Sequence, residues 1–277
     1  MQIMQHLIRP CPATFLALAL VACTVNAQQV MLTPGTLVLD SKTHSGEITV
    51  GNPGDTVSTF RVEDSAFIQA LDGQLSANPN PKPVFGAQDM LRVGPRRFVL
   101  ASGEGQTVRV AARVPAGLAP GEYRAHLSVT NVAEQKPRVE LAIAGGPNQS
   151  SIAIAIPLNV AFGVRVLLRH DVTPQGGRPS NVKVHQEGAI SVVDFDVERL
   201  GMTSLLAAAE PFARAKDGHE LKSWAQVSTS IYAELPSRHF VAKIPNAEIP
   251  KGATLCVRLK HEDPGAPKLA DVEVCPM

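Results

Sequence analysis

Residues 151–169 read SIAIAIPLNVAFGVRVLLR, and every even-numbered position from Ile152 to Leu168 is large and apolar: Ile152, Ile154, Ile156, Leu158, Val160, Phe162, Val164, Val166 and Leu168. The odd positions carry Ala153, Ala155, Pro157, Asn159, Ala161, Gly163 and Arg165, with Leu167 as the exception. Successive side chains of an extended chain point to opposite faces, so a period of two held this long predicts a strand with one apolar face. At roughly 3.3 Å per residue it is about 55 Å long, which exceeds what one small sheet uses.

Pro157 lacks a backbone N–H and favours an edge, and a long apolar edge is normally a liability that proteins cover or blunt. Two readings follow. In one the strand runs through the cores of two packed domains. In the other it is donated to another chain by β-augmentation, with alternate side chains entering the partner's pockets.

The rest of the chain supplies short strands to pack around it. Of 277 residues, 22 are Pro and 21 Gly, and the chain is 44% hydrophobic but only 4% aromatic, which suits many strands joined by turns better than helices. Strands are expected at 30–32, 37–39, 46–50, 59–63, 91–100, 107–114 and 122–129, with a long loop at 70–90 and another at 133–149. After the long strand, further segments fall at 182–184, 190–199, 205–215, 228–234, 239–244, 254–260 and 271–274. Strands at roughly ten-residue spacing with turn signals between them indicate β-sandwiches. The expected organisation is a leader over residues 1–27, a first sandwich over 28–165 and a smaller second one over 166–277.

The leader has a weakly basic start at Arg9, an apolar run over residues 11–22 too short to anchor in a bilayer, and a small-residue cleavage site at Val25-Asn26-Ala27. Leu20-Val21-Ala22-Cys23 also fits a lipoprotein signal, so a lipid-anchored form is the competing expectation. Cleavage after Ala27 removes Arg9 and no acid, leaving 25 basic against 25 acidic residues. Such a balance leaves no electrostatic footprint for nucleic acid. It also leaves Cys256 and Cys275 as the remaining cysteines, a pair that an oxidising compartment would bridge.

PRRFVL (residues 95–100), QTVRV (106–110) and GEYRAHL (121–127), then RLGMTS (199–204) and SIYAE (230–234) followed by Arg238, resemble in order the signatures of the periplasmic chaperones of the chaperone/usher pathway. These are the PapD-like proteins, and the second-domain motifs resemble their archaic, spore-coat-U-associated branch. The resemblance implies two immunoglobulin-like domains in an L or boomerang, with pilus or fimbrial subunits and an outer-membrane usher as partners. It also implies no cofactor and no stable membrane insertion after leader removal. The long alternating strand falls where the family's donor strand falls, so Ile152, Ile154, Ile156, Leu158 and Val160 become the expected subunit-binding residues. Typical members hold the subunit's C-terminal carboxylate with an Arg in the first strand and a Lys at the domain junction. The nearest positions here are Thr36 and Leu158 or Asn159, none cationic. Arg109, Arg124, Arg165 and Arg169 are therefore the candidate anchors, Arg being suited to bidentate carboxylate contact.

Enzymatic readings find little to stand on. There is no G-x-S-x-G elbow, no H-E-x-x-H and no P-loop, and the histidines are scattered without ligand spacing, so no metal is expected. Asp194, Asp196 and Glu198 alternate on an expected strand and read as a solvated face rather than a glycosidase pair. The alternatives to a chaperone are an exported structural sandwich that binds no subunit and an exported hydrolase with an unrecognised site.

Overall fold

A computed structural model describes residues 30–80, 83–132, 140–142, 153–155, 161–264 and 269–276, the segments 140–142 and 153–155 by backbone alone. The described residues are all-β, two immunoglobulin-like sandwiches in succession, and the helical elements among them are single 3-10 turns at Gln88–Met90 and Asn246–Glu248. No helix among those residues is long and apolar enough to cross a membrane.

The first sandwich contains β1 (Met31–Thr33), β2 (Thr36–Leu39), β3 (Ser45–Gly51), β4 (Ser58–Ser65), β5 (Phe67–Gln69), β6 (Leu75–Ala77), β7 (Leu91–Gly94), β8 (Arg97–Leu100), β9 (Gly105–Ala112), β10 (Gly121–Asn131), β11 (Glu140–Ala142), β12 (Ala153–Ala155) and β13 (Ala161–His170). One sheet has the order β1-β3-β9-β7 and the other β2-β13-β10-β4-β8, while β5–β6 and β11–β12 are separate hairpins. Pro34-Gly35 lets the first strand change sheets, because a residue without an N–H ends a ladder: β1 pairs with β3, and β2 pairs in parallel with β13. Pro95 divides the expected 91–100 strand in the same way, leaving β7 and β8 in different sheets. The expected loop at 70–90 holds β6 and a 3-10 turn, and that at 133–149 holds β11. Alternation builds the core: Ile48, Val50, Val108 and Val110 from one sheet meet Phe60, Val62, Leu127, Val164, Val166 and Leu168 from the other. Each such burial stabilises by roughly 1.5–3 kcal/mol.

The second sandwich contains β14 (Gly177–Glu187), β15 (Ile190–Arg199), β16 (Ala207–Arg214), β17 (Glu220–Ser223), β18 (Val227–Ser228), β19 (Ser237–Pro245), β20 (Thr254–His261) and β21 (Val272–Val274). Its sheets are β14-β15-β19 and β17-β16-β20-β21, with β18 also on β16, around a core that includes Phe195 and Phe240, stacked 5.7 Å apart. Pro211 is accommodated within β16 because it falls between the β18 pairing, which ends at Ala209, and the β17 pairing, which begins at Phe212. Only its carbonyl is used on that side, accepting the Trp224 N–H at 3.0 Å. The strand expected at 228–234 does not form as such. Leu205 and Ile231 make an isolated bridge, while the carbonyls of Ser230, Ala233 and Leu235 accept from Gln69, Arg238 and Arg199 instead of a ladder.

Cys256 and Cys275 are disulfide-bonded, as their isolation in the sequence implied. The bridge ties β20 to the C-terminal tail, and closing a loop of that size is worth on the order of 3 kcal/mol.

Candidate functional site

β10 and β13 are neighbours in antiparallel register, with Glu122 opposite Arg169, Arg124 opposite Leu167 and His126 opposite Arg165. Their other residues, Tyr123, Ala125, Leu127, Val164, Val166 and Leu168, face the core of the first sandwich. The period-two pattern therefore directs these three cross-strand pairs outward, and the second sandwich lies against them.

At one end Arg169, Glu122 and Asp263 form a buried ionic cluster. Arg169 Nε donates to Glu122 Oε2 at 3.1 Å and Nη1 to Asp263 Oδ1 at 2.8 Å, and Nη2 also contacts Asp263 Oδ2. The three side chains are 2%, 0% and 5% exposed. Glu122 Oε1 accepts the Ser204 backbone N–H at 2.9 Å, so this carboxylate links both sandwiches. Burial opposes the Arg169 charge, but the hydrogen bonds and charges of Asp263 and Glu122 outweigh it and hold its pKa above the usual guanidinium value.

In the middle Arg124 bonds Glu234 through both terminal nitrogens, at 2.8 and 2.7 Å, and the Phe67 carbonyl at 2.8 Å. Its guanidinium lies 3.8 Å from the Tyr232 ring centroid, a cation–π contact that fixes the ring. Burial raises the Glu234 pKa, but bonding to Arg124 brings the net value below the ordinary carboxylate range. Gln69 completes this junction: its Oε1 accepts the Tyr232 N–H at 3.0 Å, its Nε2 donates to the Ser230 carbonyl at 3.3 Å, and its backbone N–H donates to Glu234 at 3.2 Å.

At the other end Arg165 lines a polar cleft of about 500 Å³, with Gln69, Asp72, Ser230, Tyr232 and Arg238 among its walls. The Arg165 guanidinium carbon is 5.2 Å from the Tyr232 centroid, and its Nε and Nη1 are buried without a hydrogen-bond partner among the described residues. Guanidinium donors left unpaired beside a cleft are suited to donate to a carboxylate or another planar anion. Arg238 stands on the second-sandwich wall, bonded to the Ser230 and Leu71 carbonyls. Burial lowers its pKa, with Asp72 opposing the shift. Gly73 makes room for it: φ is +92°, and a Cβ there would meet Arg238 Nη2 at 1.9 Å.

The structure thus gathers three of the four candidate arginines on one wall and separates the fourth. Arg109 lies on β9 in the other sheet, 82% exposed and paired with Glu47. Arg124 and Arg169 are committed to ion pairs, and Arg165 has free donors. Of the expected subunit-binding residues, Ile152, Ile156, Leu158 and Val160 lie outside the described residues, and Ile154 is described only as a backbone position in β12, opposite Leu141. The edge next to them is described: β2 covers β13 only over Arg165–Leu168, and the same side of residues 161–164 has no strand partner among the described residues. Sequence reasoning missed Glu122, His126, Gln69 and Asp263. The signal was present in GEYRAHL, where three long polar side chains alternate with apolar ones. It reads as a solvated face unless a second domain is known to cover it.

The scattered histidines are only partly scattered in space. His185 and His239 both reach Asp194 on the outer face of the second sandwich, at 3.0 and 3.4 Å, and His239 also meets Asp196 at 2.9 Å. Bonds from Asn181 and His239 hold the Asp196 pKa below its ordinary value. Among the described residues no group of His, Cys, Asp and Glu is arranged to hold a metal ion.

No family model matches the sequence, and no curated protein matches it. Among solved structures the chain is similar to the CsuC–CsuE chaperone–tip adhesion subunit pre-assembly complex from archaic chaperone-usher Csu pili of Acinetobacter baumannii, at 9% identity and a TM-score of 0.46 over 88% of this chain and 98% of that one. It is similar to the class 5 fimbriae chaperone CfaA at 12% identity and a TM-score of 0.43, covering 90% and 99% of the two chains. The E. coli chaperone DraB gives 11% identity and a TM-score of 0.42, covering 89% and 97%.

Proposed function

We propose that this chain is a periplasmic chaperone that holds incompletely folded pilus or fimbrial subunits by strand donation and passes them to an outer-membrane usher. Its leader would be residues 1–27, and the expected boundary at 165 between first and second domain would move to the end of β13, since Val166 and Leu168 pack in the first sandwich's core, the two domains being set in an L. The reading rests on the sequence resemblance, and one structural observation carries it furthest. The strand with the long apolar alternation has, at residues 161–164, an edge without a strand partner among the described residues, where β2 stops. A subunit lacking a strand could pair with that edge, while Ile152, Ile154, Ile156, Leu158 and Val160 fill the groove that the missing strand leaves. Five such side chains are worth roughly 8–15 kcal/mol as an upper bound, before ordering costs.

The cleft beside this edge supports an anchor for the subunit's C-terminal carboxylate. Thr36, where the resembled family carries its first-strand Arg, is in register with Arg165, so the cation is supplied from the neighbouring strand. Such a protein binds and releases without chemical turnover.

The competing reading, an exported structural sandwich that binds no subunit, is favoured by one observation: Val164, Val166 and Leu168 already face the first sandwich's own core. Insertion of side chains into a subunit must then be confined to the part before Ala161, the edge at 161–164 offering backbone pairing alone. The double variant I154D/I156D separates the two readings when co-expressed with a fimbrial subunit. Donation predicts loss of subunit pull-down with an unchanged circular dichroism spectrum. An unfolded variant, or a folded one that still captures subunit, would overturn it.

A further inference from the structure

His126 sits on the outward face of β10 where three parts of the chain meet. It is 5% exposed. Phe67 of β5 meets its ring edge-on at 4.9 Å, and Tyr232 of the second sandwich lies 6.1 Å away. Neither ring nitrogen has a hydrogen-bond partner among the described residues, an unusual state for a buried imidazole.

The charges around it disfavour a second proton. Arg124 faces it from its own strand and Arg165 from β13, while Glu234 of the second sandwich is the carboxylate acting on it and is already held by both terminal nitrogens of Arg124. β5 brings no titratable group, its polar Gln69 being bonded to the 230–234 segment. On β4 the register neighbour is Ser65, bonded to Ser128, and the next outward residue, Glu63, pairs with Arg61. An imidazolium formed here would have no new acceptor and two guanidiniums for company.

We propose that His126 is a proton-operated release for the contact between the two sandwiches: the ring takes up a proton only when that contact opens, so acidification shifts the molecule toward the open form. Burial, then Arg124 and Arg165, push its pKa down to about 3 against the opposing pull of Glu234. In the open form the ring returns to the ordinary value near 6.5. Because the closed-state value is the depressed one, the closed contact has its full stability above about pH 6.5 and loses up to about tenfold in closed-to-open ratio per pH unit as pH falls toward 3. Arg124 holds the Glu234 pKa below its ordinary value, so this carboxylate takes up its proton on the acid side of an ordinary glutamate. The inference stands on the contact itself and does not require the chaperone reading.

Two amides report the contact directly. Ser204 N–H donates to Glu122, and Tyr232 N–H donates to Gln69, each across the sandwiches. Hydrogen exchange of these amides in the full chain, corrected for intrinsic rates, is expected to lose about 15-fold in protection between pH 6.5 and 5.0. His126→Phe, which keeps a ring against Phe67 and Tyr232, should hold protection constant within about twofold over that range, because nothing at the position titrates. Unchanged wild-type protection, or an equal loss in H126F, would overturn the proposal. Should H126F fail to fold, ring NMR of the wild-type protein decides: a neutral His126 ring at pH 5 supports it, and a ring titrating near pH 6.5 while both amides stay protected refutes it.

Discussion

The two faces of β13 obey opposite rules though they alternate along one strand. Its inward residues, Val164, Val166 and Leu168, are apolar and fully enclosed by the first sandwich. Its outward residues, Arg165, Leu167 and Arg169, are also largely withdrawn from water, but by the second sandwich, and two of them are charged. The inward face is held by area removed from water, which tolerates changes of shape within about 1.5 kcal/mol when volume is kept. The outward face is held by partners at fixed positions, where loss of one leaves another buried and unpaired. One strand thus serves as the core of one domain and the floor of a junction with the next.

The largest expected effect comes from forcing the rule of one face onto the other. Val166→Asp places a carboxyl group in an apolar core, where even in its neutral form it costs several kcal/mol, a large share of the roughly 5–15 kcal/mol that holds a domain together. The expected result is a first sandwich that no longer folds, seen as lost β-sheet circular dichroism and rapid proteolysis. A folded V166D protein would mean that the inward face is not core and that the whole even-numbered row is available to a partner.

Next in size is the ionic cluster. Glu122→Ala leaves the Ser204 amide without its acceptor and Arg169 with Asp263 alone, and breaking a buried pair in this way costs about 3–5 kcal/mol. Because Glu122 links both sandwiches, the loss should separate their unfolding: a denaturation curve that is one transition in the wild type becomes two. A cost below about 1 kcal/mol, typical of exposed pairs, would show that water reaches the cluster and that the outward face is ordinary surface.

The inward rule was legible in the sequence and the outward one was not. Ile48, Val50, Val108 and Val110 fall on one face of their strands by spacing alone, because a buried sheet face leaves a period of two, whereas for the even positions of β13 the same spacing left a core strand and a donated strand both open. The bridge between Cys256 and Cys275 was legible by composition. Arg124 and Arg169 carried no such mark, since their partners Glu234 and Asp263 lie 110 and 94 residues away in sequence. Burial of a charge is decided by what covers it, and that is a property of the second domain. The 228–234 segment looks strand-like in its side chains, but the Ser230 carbonyl is taken by Gln69 of the first sandwich and by Arg238, and the Ala233 carbonyl by Arg199.

The smallest expected effect tests the comparison from outside it. Arg109 has the same local setting in sequence as Arg165, a strand residue flanked by valines, and on sequence alone both were candidates for a carboxylate anchor. Yet it projects from the other sheet and is 82% exposed, with Glu47 itself 57% exposed as its partner. An exposed pair contributes about 0–1 kcal/mol, and salt near physiological strength screens much of that. Arg109→Ala should therefore leave the urea midpoint and subunit pull-down unchanged, whereas Arg165→Ala should weaken pull-down while leaving stability nearly intact, because its guanidinium has no hydrogen-bond acceptor among the described residues to abandon. Equal losses of pull-down in the two variants would mean that a diffuse positive field draws the subunit in. Loss in R165A alone would tie recognition to the two donors of Arg165 that have no partner among the described residues, at the edge where β2 stops.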